Sequence, residues 1–202
     1  MKELSLNILD IAENSINACA TLIEILINET DNILTVTVKD NGCGMEPEVL
    51  KRAEDPFFTT RTTRKVGMGI PLFKLAAEQT GGCLKTVSKS LKKSAEHHGT
   101  EITATFYKDH LDFKPLGDVG STITSIITGH PEIDICFIHK TNSGKIILDT
   151  RAIRKQLKGV PLDTYDVLKW IKEYLDEQYK LLYIQINQKI FSEGKIPNEI
   201  FG

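Results

Sequence analysis

The feature that most restricts the fold is a change of hydrophobic period near residue 20. Residues 2–19 set Leu4, Ile8, Ile11 and Ser15 on one line, with Leu9, Ala12 and Ile16 on the next, the spacing of an amphipathic helix. From Thr21 to Lys39 the period becomes two: Ile23, Ile25 and Ile27, a Thr30-Asp31-Asn32 turn, then Leu34, Val36 and Val38. That is a β-hairpin with one buried face. Asp40 to Gly69 has no clean period and is rich in Gly, Thr, Arg and Pro, so much of it reads as loop, with a short helix over 47–53. Ordered loops of this length usually carry function.

Helical spacing returns over 70–79 and stops at Gly81-Gly82, and two strands are expected over 83–90 and 100–107. Residues 109–120 read as a connector. Beyond it the pattern gives a short helix over 123–127, a hairpin over 133–149 turning at Asn142-Ser143-Gly144, and helices over 151–158 and 164–182. At 202 residues this is one domain, 1–115, followed by a small α+β extension, 116–202.

Composition narrows the class. Lysine and arginine number 25 against 27 acidic residues, and the near balance argues against nucleic acid as a main partner. No run approaches the roughly 20 apolar residues that span a bilayer, and Glu3, Asn7 and Asp10 stand where a secretory signal would be apolar. A cytoplasmic protein with no membrane partner is expected. Cys19, Cys43, Cys83 and Cys136 lack the close spacing of zinc or dithiol sites and read as reduced thiols.

Three blocks carry chemistry. Asn7, Asp10, Asn14 and Asn17 fall in one helical stripe, although Asn and Asp are poor helix-interior residues. The stripe is either a solvated polar face or a polar site against a rigid backbone, in which an amide oxygen joins a magnesium shell and a carboxylate orders a hydroxyl. Asp40-Asn41-Gly42-Cys43-Gly44-Met45 ends a strand. An Asp there can accept from an exocyclic amine, and glycines let backbone approach a flat ring. The third block runs from Asp55 to Leu72: hydroxyls at Thr59 and Thr60, cations including Arg64 and Lys65, then Gly67-Met68-Gly69-Ile70-Pro71 opening a helix whose N-terminal amides can hold phosphate oxygens. A Walker ending is absent.

In this order the blocks resemble the GHKL superfamily of ATP-binding domains, the Bergerat fold. Asp10-Ile11-Ala12-Glu13-Asn14-Ser15-Ile16-Asn17-Ala18 is similar to its asparagine box, Asp40-x-Gly42-x-Gly44 to its first glycine box, Gly67-Met68-Gly69 to its second, and Gly99-Thr100 to its final motif. Pro56-Phe57-Phe58-Thr59-Thr60 resembles the phenylalanine box of histidine kinases. The resemblance covers residues 1–107 and implies an α+β, two-layer α/β sandwich with a mixed, mostly antiparallel sheet and helices on one face. It implies ATP and Mg²⁺ as cofactors. Asn14 would bind the metal, and Asp40 the adenine amino group, with Thr100 supporting that Asp through a water. Gly42, Gly44 and Met45 would line the base pocket. Asn17 would belong to the same nucleotide site, though histidine kinases often have a basic residue there.

For the phosphates the resemblance implies Gly67, Met68, Gly69 and Ile70, with Thr59, Thr60, Arg64 and Lys65 from the lid; the two cations can equally be solvated lid charges. Asp10 occupies the place of the general base, where ATPase members carry Glu and histidine kinases Asn. Ile70-Pro71 replaces a further glycine.

The histidines His97 and His98 can form a metal pair or a surface loop, and Lys85, Lys89, Lys92 and Lys93 read as a solvated strand edge. Function is expected to be that of a stand-alone Mg-ATP-binding domain of histidine kinase or anti-sigma type, acting in trans on a protein substrate or regulatory partner, with a homodimer left open. A dimerisation-gated ATPase clamp and a non-catalytic ATP sensor are the alternatives.

Overall fold

A computed structural model describes residues 2–53, 68–93 and 97–192. The elements are α1 (Leu4–Asn17), β1 (Leu22–Glu29), β2 (Ile33–Asp40), α2 (Pro47–Leu50), α3 (Gly69–Glu78), β3 (Cys83–Lys89), β4 (Gly99–Tyr107), α4 (Val119–Gly129), β5 (Asp134–Thr141), β6 (Lys145–Asp149), α5 (Thr150–Leu157) and α6 (Tyr165–Ser192).

The six strands form one sheet in the order β3-β4-β2-β1-β5-β6. The neighbouring strands are antiparallel, except that β5 runs parallel to β1. The register sets Val38 opposite both Ile25 and Ile102, and Ile25 opposite Phe137, so one face is a continuous apolar layer. Helices cover that face: Leu4, Ile8 and Ile11 of α1, Phe73 and Ala77 of α3, Ile123 and Ile127 of α4, and Ile171 and Leu175 of α6 are buried against it. On the other face Leu26 remains 41% exposed. This is the α+β, two-layer architecture expected, with a mixed and mostly antiparallel sheet.

Segments after residue 116 build into the same sheet and core rather than standing beside them, because β5 pairs along the whole length of β1. The connector has a second role. α1 lacks a side-chain cap, and its Leu4 and Ser5 N–H groups donate instead to the carbonyls of Pro115 (3.0 Å) and Leu116 (2.8 Å).

Two helices are longer than their periodicity suggests. α4 starts at Val119 because Asp118 caps it, its carboxylate accepting from Ser121 N at 2.8 Å, which outweighs the weak helix preference of Gly120 and Thr122. α6 continues to Ser192 because no Gly or Pro interrupts it before Gly194. The stripe on α1 also divides. Asn7 is 1% exposed and faces the interior, its Oδ1 without a hydrogen-bond partner, while Asn17 is exposed. The four residues share a face but extend over nearly three turns of α1, so a site against one stretch of the helix does not meet all of them.

At the turn end of the β1–β2 hairpin, polar groups form a chain. Tyr179 O–H donates to His139 Nδ1 (3.1 Å), His139 Nε2–H to Glu29 (3.2 Å), and Lys108 Nζ to the other Glu29 oxygen (2.6 Å). The hydrogen bond from His139, with that of Lys108, holds the Glu29 carboxyl at a pKa of about 2, against the opposing effect of burial. Burial pushes the Tyr179 hydroxyl well above its ordinary value, keeping it a donor.

Candidate functional site

A cleft of about 660 Å³ opens between α1, α2, the start of α3 and the β2, β3 and β4 ends of the sheet. Asn14, Asn17, Asp40, Gly44, Met45, Gly69, Ile70 and Thr100 all line it, so all three sequence blocks contribute residues to one wall. Asp10, one turn before Asn14, is not among the lining residues, although it lies beside Gly69, which is. A Cβ placed on Gly69 would lie 3.4 Å from Asp10 Cβ and 3.0 Å from Asn14 Nδ2, so the start of α3 is pressed against this turn of α1. Gly42 lies behind the wall, where its N–H holds Asp40. Met68, 47% exposed, precedes α3 and is not part of the lining. Thr59, Thr60, Arg64, Lys65 and Gly67 lie outside the described residues.

Asp40 ends β2 and is 9% exposed. Oδ1 accepts from Gly42 N (2.9 Å) and Thr100 N (3.1 Å), and Oδ2 accepts from Ser15 Oγ (2.7 Å). A carboxylate offers about four acceptor positions, so one remains, on Oδ2. Thr100 thus reaches Asp40 directly through its backbone N–H, while its hydroxyl lies 2.9 Å from Ser88 Oγ. Ser88 Oγ in turn accepts from Met45 N (2.8 Å) and donates to Gly99 O (3.0 Å).

Gly44 has φ +63°, and a Cβ there would stand 1.9 Å from the Lys89 carbonyl oxygen; only glycine permits this turn. Ile11, Met45, Val49 and Ile102 supply apolar surface between the polar groups. The set suits a flat heterocycle carrying an exocyclic amine: an anchored acceptor, apolar walls and a backbone turn without side chain. At the other end, the first amides of α3, a helix of 10 residues, and the Asn14 side chain suit anionic oxygens and a cation. Asn17 reaches the cleft, with its Nδ2 donating back to the Glu13 carbonyl.

The sequence reading missed the turn after β3. Ser90, Leu91 and Lys92 line the cleft as well, and Glu46 joins them from the start of α2. Lys85 and Lys89 are exposed on edge strand β3, as expected of a solvated edge, but the chain then folds back. Leu91 N donates to Cys43 O (2.9 Å), and Ser90 Oγ to Glu46 Oε1 (2.8 Å). No local pattern marks this, because the partners lie more than 40 positions upstream. His98 immediately precedes β4, and its Nδ1 is 2.6 Å from Gly42 O. Among the described residues no group of three or more His, Cys, Asp or Glu side chains comes together as a metal site.

A profile of the histidine kinase-, DNA gyrase B- and HSP90-like ATPases matches residues 1–110. The chain is similar, at 40% identity over 103 residues, to a protein of Shewanella frigidimarina whose name describes a sensor protein, a match covering 49% of this chain and 15% of that one. It is 40% identical over 58 residues to the sensor protein kinase FleS of Pseudomonas aeruginosa, covering 28% of this chain and 14% of the relative. The similarity therefore spans only about a seventh of the length of these relatives. Among solved structures, the Aquifex aeolicus MutL ATPase domain complexed with ADP shares the fold with a TM-score of 0.50 at 17% identity, covering 78% of this chain and 68% of that one. No described helix is long and apolar enough to cross a membrane.

Proposed function

Since the chain belongs to the histidine kinase-, DNA gyrase B- and HSP90-like ATPases, we propose that its cleft binds Mg-ATP as a histidine-kinase-type domain and acts in trans on a protein partner. The observation that carries this reading is the buried Asp40, held by three donors and left with one acceptor position. An adenine amino group is the donor that completes it. Met45, Gly44 and Ile102 flank the base, and the first amides of α3 at Gly69 and Ile70 take phosphate oxygens. Asn14 offers its side-chain oxygen to a magnesium ion, which when bound neutralises phosphate charge.

Asp10 orients the acceptor, a partner's hydroxyl or imidazole, so that its lone pair faces the γ-phosphorus while the departing oxygen remains on ADP. Thr59, Thr60, Arg64, Lys65, Gly67 and Met68 are assigned to the phosphates by the sequence resemblance alone. The sensor kinases among the relatives favour transfer over hydrolysis alone. Incubation with γ-labelled ATP, Mg²⁺ and a native lysate tests the choice: labelled partner protein supports it, free phosphate alone indicates a hydrolase, and neither product with intact binding indicates a sensor. Loss of transfer in Asp10→Asn with nucleotide binding retained is the expected companion result.

A further inference from the structure

We infer that Lys92 reads the nucleoside end of the bound nucleotide, an inference that rests on the ATP reading above. The turn after β3 is fastened to the Gly42–Glu46 turn from several directions. Leu91 N donates to Cys43 O (2.9 Å), Ser90 Oγ donates to Glu46 Oε1 (2.8 Å), and Lys93 Nζ lies 3.8 Å from the other Glu46 oxygen. Just before it, Ser88 Oγ accepts from Met45 N (2.8 Å). These bonds tie residues 90–93 to the turn that follows Asp40 and carries Gly44 and Met45, so the strap walls the end of the cleft where the amine acceptor lies.

Lys92 lines the cleft, whereas its neighbour Lys93 does not and lies 3.8 Å from a Glu46 oxygen. Its backbone N–H is taken up by Ser90 Oγ (3.3 Å), and its ammonium has no partner among the described residues. A charged donor there meets what Asp40 cannot serve: the ring-nitrogen and ribose oxygen acceptors of a nucleoside. The α3 N-terminus and Asn14, where phosphates belong, form the other end of the cleft.

Titration calorimetry of the full chain with adenosine, ADP and Mg-ATP separates the outcomes. Lys92→Ala is expected to weaken all three by the same factor, about tenfold for one charge-assisted hydrogen bond. Lys92→Arg, which keeps a donor, should recover most of it. Glu46→Ala, which releases both Ser90 and Lys93, should reproduce the loss and speed amide exchange at residues 90–93. A loss confined to ADP and ATP would make Lys92 a phosphate counter-ion and overturn the inference, as would unchanged affinity for all three. Failure of the parent chain to bind any of them would instead overturn the ATP reading itself.

Discussion

At the residue scale, Asp40 and Glu29 show how the same functional group is put to opposite uses. Asp40 is surrounded by donors without being used up, and Asp40→Asn should weaken ATP binding by about 1–3 kcal/mol, because an amide turns one acceptor into a second donor facing the adenine amine. Calorimetry checks this, and equal affinity in the variant removes Asp40 from base recognition. Glu29 is paired on both oxygens and its pKa is lowered from 4.5 to about 2. A carboxylate with a depressed folded-state pKa stabilises the fold above its unfolded pKa, and loses that contribution as pH falls from 4.5 towards 2. Glu29→Gln should therefore cost about 2–3 kcal/mol at neutral pH and nothing near pH 2. Denaturant titrations across that range read the difference; parallel stability curves for the two proteins would show that the carboxylate's charge contributes nothing.

At the scale of elements, α1 and the start of α3 act as a pair. The asparagine stripe was legible because short polar side chains at helical spacing are costly without a reason, yet spacing alone could not separate Asn7, which is buried, from Asn14, which lines the cleft. Asn7 and Asn14 share a face of α1, so the separation depends on what packs along the helix: the connector lies against its first turn, where Leu4 and Ser5 donate to Pro115 and Leu116, and the cleft opens along its last turns. The contact with α3 gives a test. Gly69→Ala puts a methyl 3.0 Å from Asn14 Nδ2, at a helix start where alanine is otherwise favourable. We expect an unchanged or slightly raised Tm, with ATP affinity lowered about tenfold or more. A lowered Tm with affinity intact would mean that Gly69 serves the fold and not the phosphates.

At the scale of the molecule, the sheet joins both halves of the chain. β5 shields the edge of β1, and its Ile135 and Phe137 extend the same apolar layer as Ile23 and Ile25. The expected consequence is a single cooperative unfolding transition for the full chain by calorimetry. A chain ended at residue 115 would bare the β1 edge, leave the α4-facing side of α1 uncovered, and lose the carbonyl of Leu116 that accepts from Ser5. It should aggregate or melt well below the parent. A fragment that melts at the parent's temperature would show that residues 1–115 are self-sufficient.

What the sequence determined by itself was local and periodic: the helix-to-hairpin switch, the Thr30-Asp31-Asn32 turn, the stop of α3 before Gly81-Gly82, and the presence of an acidic glycine turn followed by a glycine-led helix. These follow from spacing along the chain and from the few residues that tolerate special backbone geometry. Tertiary structure alone decided that β5 would lie parallel to β1, that Asn7 would turn inward, that the connector would cap α1, and that Ser90 and Lys92 would fold back over the cleft. Each of those depends on partners brought together across distant stretches of chain, and no repeat in the sequence encodes which distant surfaces will meet.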